Sequence, residues 1–168
     1  RLPGVLFNLA KKANAVGDEE AMQKYLRQLV DNHKGNQYYL RGLSMLAYGF
    51  YEEKQFDEAA NYFRQFVDQS QPGADVVQAQ FTLADSLYRA GKPMEAVEAH
   101  GRVIEWVRNE SDSYADTAEQ AQQNRDLAEQ SAFFRMVAYF EAGRADESKT
   151  EEYDRKALEL ANEFLERY

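Results

Sequence analysis

The stretch GKPMEAVEAH, residues 91–100, places Ala96 inside a run that otherwise reads as an ordinary amphipathic helix. Thirty-seven residues earlier KQFDEAANYF, residues 54–63, places Ala59 at the same point. Thirty-seven earlier again, GDEEAMQKYL, residues 17–26, has Met22 there with Ala21 beside it. The offset holds elsewhere. Leu9, Leu46 and Leu83 stand in register, as do Ala10, Ala47 and Ala84, then Leu29, Phe66 and Val103, and also Gly17, Lys54 and Gly91. A fixed period of this size marks stacked supersecondary repeats, none of which can bury its apolar face alone.

Within each repeat the breakers punctuate a helical pattern. Helices are expected at 3–16 and 18–32, at 36–54 and 56–70, and at 74–90 and 93–109. Pro93 is acceptable at a helix start, where its missing N–H has no intrahelical partner. On each second helix the apolar residues follow i, i+4, i+7: Met22, Leu26, Leu29, then Ala59, Phe63, Phe66, then Ala96, His100, Val103. That spacing makes one buried stripe, with His100 its polar member. No strand alternation of comparable length occurs. Beyond residue 109 the period fails. A cap candidate at 111–113 and no breaker before Gly143 suggest one helix of about 30 residues, with Tyr114, Ala118, Ala121, Arg125, Ala128 and Ala132 as its seam. Residues 144–152 are expected to be a flexible loop, and 153–168 restore a second-helix pattern with Ala157 and Ala161 small.

Composition narrows the function. The 168 residues carry a formal charge of −9 and 44% hydrophobic residues, enough for a continuous core. An acidic chain of this kind argues against nucleic acid or an anionic membrane as main partner, because both need clustered Lys and Arg. No apolar run approaches the roughly 18 residues that span a bilayer, so no membrane insertion by this segment is expected. The chain has no cysteine, which excludes disulfides and thiolate metal sites and suits a reducing cytosol or a bacterial envelope. Starting at Arg1 and stopping inside a helical pattern, it reads as an excerpt of a longer protein.

The stretches LAYGFYEEKQFDEAANYFRQF and LADSLYRAGKPMEAVEAHGRV, and less closely LAKKANAVGDEEAMQKYLRQL, resemble the tetratricopeptide repeat. That family's unit is a helix-turn-helix with a large then a small apolar residue on the first helix, glycine at the turn, and alanine then an aromatic on the second. Its usual period is about 34 residues. The longer spacing is similar to that of bacterial periplasmic repeat proteins, the outer-membrane assembly lipoprotein and the Tol-Pal coordinator. The resemblance implies an all-α, right-handed superhelical solenoid of stacked antiparallel helix pairs, about eight helices in all. Its repeats would be residues 2–35, 36–72, 73–110 and an irregular, stretched 111–168. An alanine at 59 and 96 then lets two helices cross closely.

The same resemblance implies a non-catalytic scaffold that holds a peptide segment or helix of a protein partner in a groove lined by the first helices, without a cofactor. By register that groove takes Asn8, Lys11 and Lys12, then Arg41, Ser44, Met45, Tyr48 and Tyr51, then Gln78, Phe81, Thr82, Asp85, Tyr88 and Arg89. Aromatic and Arg side chains on a rigid surface are the type that carry binding energy. The tyrosines could equally stack between repeats as core. Asn8 matches one position of the clamp with which some family members hold a carboxylate, but Met45 and Thr82 occupy the next two, so no clamp is expected. The alternative is self-association through a helix at 112–142.

Catalytic chemistry finds little material. His33 and His100 are the only histidines, too few for a His-rich metal site. His100 reads as a packed core residue and His33 as a helix end. The pairs Glu19 and Glu20, Glu52 and Glu53, and Glu151 and Glu152 are sequence neighbours, which point different ways on a helix and read as solvated faces.

Overall fold

The computed structural model describes residues 1–109 and 111–167. Glu110 and Tyr168, the last residues of the third and fourth expected repeats, lie outside it, as do the side chains of Ser111, Asp112 and Arg167. The elements are α1 (Leu2–Ala15), α2 (Glu19–Asn32), α3 (Tyr39–Glu52), α4 (Phe56–Gln69), α5 (Ala74–Arg89), α6 (Pro93–Asn109), the single turn α7 (Ser111–Tyr114), α8 (Ala118–Ala145) and α9 (Thr150–Arg167). A short 3-10 turn, Glu147–Lys149, precedes α9. The described residues contain no strand, so the chain is all-α. No helix among them is long and apolar enough to cross a membrane.

The repeat is visible in the backbone. The second helices α2, α4 and α6 begin at Glu19, Phe56 and Pro93, each thirty-seven residues after the last, and the first helices α1, α3 and α5 end in the same register. The three intervening turns are alike. Gly17, Lys54 and Gly91 have φ of 72°, 62° and 75°, the left-handed region. Each donates its N–H to the carbonyl three residues back, those of Asn14, Tyr51 and Tyr88. The following residues, Asp18, Gln55 and Lys92, donate to Ala13, Phe50 and Leu87. This pair of bonds is the Schellman arrangement, which satisfies the last carbonyls of a helix and reverses the chain.

The chain divides into two compact bodies, Arg1–Ser70 and Gln71–Tyr168. In the first, α1 packs on α2, α2 on α3 and α3 on α4. Leu26, Leu29, Leu43, Leu46, Phe50, Ala59 and Phe63 are fully buried there. The α3 helix approaches α2 through two glycines one heptad apart. A Cβ at Gly42 would lie 3.1 Å from the side chains of Leu29 and Val30, and one at Gly49 would lie 3.1 Å from Met22 Cε. Met22 therefore fits where the later repeats have alanine because the facing helix gives up a side chain.

In the second body α5 packs on α6, α8 lies on both, and α9 lies on α8. Here the helix boundaries differ from the sequence reading. The chain breaks after Tyr114, and α8 starts only at Ala118, where Thr117 Oγ1 accepts from Gln120 N and the Gln120 carboxamide accepts from Asp116 N. Gly143 does not end α8, which runs on to Ala145. At that point α8 meets α9, and a Cβ at Gly143 would stand 3.4 Å from the Thr150 backbone, the near edge of ordinary contact. The expected loop at 144–152 shrinks to the capped 3-10 turn, where Asp146 Oδ1 accepts from Ser148 N. The seam also moves. Ala118 and Arg125 are exposed, while Asn124, Ala128, Ser131, Ala138, Tyr139 and Ala142 are buried.

Because Lys54 adopts a backbone conformation that costs an L side chain about 1 kcal/mol, Lys54→Gly is expected to raise stability by roughly that amount. Gly91→Ala is expected to lower it by a similar amount, both read as shifts of the urea midpoint at unchanged slope.

Candidate functional site

On the first body the side chains of α1, α2 and α3 enclose a cleft of about 230 Å3. Its apolar lining is Met22, Met45 and Tyr48, with Gly49 between them, and its polar rim is Asn14, Ser44, Glu19, Glu52 and Glu53. Tyr48 is held by an edge-on contact with Phe63, ring centroids 4.8 Å apart, so one ring serves both the core and the cleft wall. Glu53 is oriented by two amides, accepting from Gln23 Nε2 at 2.6 Å and from Gln55 Nε2 at 2.8 Å. The result is an apolar slot with carboxylates at its mouth, suited to a cationic side chain whose hydrocarbon stem lies along methionine and tyrosine.

Of the residues assigned to a groove from the sequence, Ser44, Met45 and Tyr48 line this cleft. Asn8, Lys11, Lys12 and Arg41 are exposed but outside its lining, and Tyr51 is half-buried with its ring edge on Phe56. Glu19 and Glu52 are exposed, as the reading of solvated faces expects, and Glu53 is half-buried. Adjacent carboxylates do point apart on a helix, yet the hairpin turn brings the start of α2 beside the end of α3. The signal was the recurrence of acidic pairs at the hairpin ends, GDEE and YEEK.

On the second body the assigned residues of α5 are largely engaged with one another. Gln78 Nε2 lies 3.4 Å from Thr82 Oγ1, and Thr82, which is buried, donates to the Gln78 carbonyl at 2.9 Å. Arg89 Nε pairs with Asp85 at 2.6 Å. Tyr88 is half-buried and Gln78 exposed. Phe81 belongs to an aromatic cluster: its ring meets His100 at 5.6 Å and Phe134 at 6.2 Å, and Phe134 stacks on His100 at 5.8 Å.

His100 is 1% exposed, and its Nδ1 shares a hydrogen bond of 3.2 Å with Ser131 Oγ. Burial pushes its pKa down to about 4, with Arg135 acting in the same direction and Asp85 against it. It is therefore neutral near pH 7, a packed core residue. His33 caps the end of α2, donating its N–H to Leu29 and accepting from the Asn36 side chain. Among the described residues no group of three or more His, Cys, Asp or Glu is arranged to hold a metal ion. No family model matches the chain, and no curated protein matches it at a significant level.

The His100 shift gives a signed pH dependence. The neutral ring stabilises the fold fully above its ordinary pKa of 6.5, and this contribution drains away as pH falls from there toward 4, because the unfolded chain takes up the proton first. Relative to His100→Phe, the wild type is expected to lose about 2 kcal/mol between pH 7 and pH 5, measured by urea unfolding of both proteins at each pH.

Proposed function

We propose that this chain is a non-catalytic protein-interaction scaffold of tetratricopeptide-like repeats, which takes a partner's peptide segment or helix against its first helices. The observation that carries this reading is the cleft beside α3, where Met22, Met45 and Tyr48 sit under Glu19, Glu52 and Glu53. An apolar slot rimmed by acid selects a Lys or Arg of the partner, and the net charge of −9 speeds the encounter with a basic segment. The three like turns support the repeat assignment, since they recur at the spacing of the sequence period. A location in a bacterial envelope is part of the same proposal and rests on the resemblance.

One observation favours the alternative, self-association through the long helix. Phe133 and Phe140 of α8 are 47% and 44% exposed, one heptad apart on the side opposite its buried seam. Sedimentation across a concentration series, with Phe133→Ser/Phe140→Ser as control, separates the two readings.

The scaffold reading is tested by calorimetric titration with short extended peptides that differ only in one central residue, Lys, Arg, Gln or Glu. The cationic peptides are expected to bind, and Glu52→Gln with Glu19→Gln to weaken them about tenfold while leaving the fold unchanged. Equal binding of the Gln and Glu peptides, or indifference to the double substitution, would remove the cleft from the function.

A further inference from the structure

A second, differently charged hollow lies on the other body. Both α6 and α9 pack on α8 rather than closely on one another. Between them opens a hollow of about 530 Å3 that reaches Arg135 of α8, with Arg102 and Arg108 on the α6 wall. Among the described residues none of these three arginines makes a hydrogen bond or an ion pair. Arg135 Nε is buried without a hydrogen-bond partner, a costly state for a cationic donor. Glu98, Glu105 and Glu163 line the same hollow and bring its formal charge to neutrality.

Gly101 in the middle of α6 points to the same place. Glycine inside a helix costs stability, and close packing does not require one here, because a Cβ would sit 3.6 Å from Arg135 Cζ and Nε, an ordinary contact. The absent methyl leaves space beside the guanidinium at the wall of the hollow, which Gly101 and Arg135 both line. Continuous with it, and sharing Arg108, Arg135 and Glu163, is a pit of about 50 Å3 whose apolar lining is Ile104, Ala132, Leu160 and Phe164.

We propose that this hollow binds a carboxylate carried on a short branched aliphatic group, the carboxylate on Arg135 and Arg108 and the aliphatic group in the adjoining pit. Guanidinium groups recognise carboxylates through paired, charge-assisted hydrogen bonds. The three carboxylates of the wall disfavour a dianion such as phosphate, so a monoanion is the fitting ligand. Two sources present this chemistry: the C-terminal Leu or Val of a peptide, and a free branched-chain acid.

The test is a titration of the whole chain, followed by amide chemical shifts, with N-acetylleucine, its neutral amide N-acetylleucinamide, isovalerate and inorganic phosphate. N-acetylleucine is expected to shift resonances of α6, α8 and α9, and the amide to leave them unmoved. Isovalerate acting equally well assigns the site to free acids, and N-acetylleucine acting alone assigns it to peptide ends. Gly101→Ala, which fills the space beside the guanidinium and favours the helix, is expected to weaken binding about tenfold. Arg108→Gln, at an exposed position, gives the same readout independently of any repacking at Arg135. Matching shifts from the amide, equal shifts from phosphate, absence of any shift with N-acetylleucine, or undiminished binding in both variants would overturn the proposal.

Discussion

Two helices joined by a three-residue turn are forced to lie side by side, and what separates them is the side chain trapped at their crossing. Ala59 and Ala96, the residues that the repeat resemblance puts at that crossing in α4 and α6, are both fully buried. Ala47 and Ala84 on the facing first helices are equally inaccessible. Small side chains on both partners permit the close approach, and the larger residues around them, Phe50, Phe63, Leu83 and Leu87, fill the space on either side. The turn enforces the geometry by tying the last carbonyls of one helix to the first residues beyond it. The alanine packing and the Schellman turn thus describe one constraint from two ends.

The first repeat shows what happens when that constraint is relaxed. Met22 replaces the alanine, and the volume is recovered across α3 by Gly49 rather than within its own hairpin. A flexible thioether in the core beside a helix surface without a side chain leaves room, and that room is part of the cleft lined by Met22, Met45 and Tyr48. The candidate site therefore grows from the departure in the repeat. The same logic operates in the second body, where Gly101 leaves space beside the Arg135 guanidinium although a methyl would fit.

Most of the fold was legible because periodicity reports burial directly. The register of Ala10, Ala47 and Ala84, and of Gly17, Lys54 and Gly91, carried through to helix ends in the same register and to left-handed turn residues at all three joints. The second body was harder for definable reasons. T-A-E-Q at 117–120 has the capping-box pattern, and Thr117, not a serine of 111–113, caps α8. Gly143 reads as a breaker, but α8 runs through it to Ala145, because a glycine inside a helix weakens it without ending it. The cleft was half legible. Register assigned Ser44, Met45 and Tyr48 to a groove, and Glu52 follows Tyr48 by one turn of the same helix, but Glu19 comes from α2 and Glu53 from the turn after α3, which pairing rules within one helix cannot bring together. His100 was legible as core from its place on the stripe, while its partners Ser131 and Phe134 lie on α8, outside the strict period.

Close crossing at the repeated alanine is the premise on which turn, register and cleft all stand, and one comparison tests it. Ala96→Leu and the exposed control Ala15→Leu are made singly, and their urea midpoints are compared with that of the unaltered chain. Overpacking at a closed crossing is expected to cost Ala96→Leu roughly 1–3 kcal/mol, with Ala15→Leu changed by no more than about 0.5 kcal/mol. If Ala96→Leu unfolds at the same midpoint as the unaltered chain, the helices of that hairpin are not held apart by alanine alone, and the repeat does not close there.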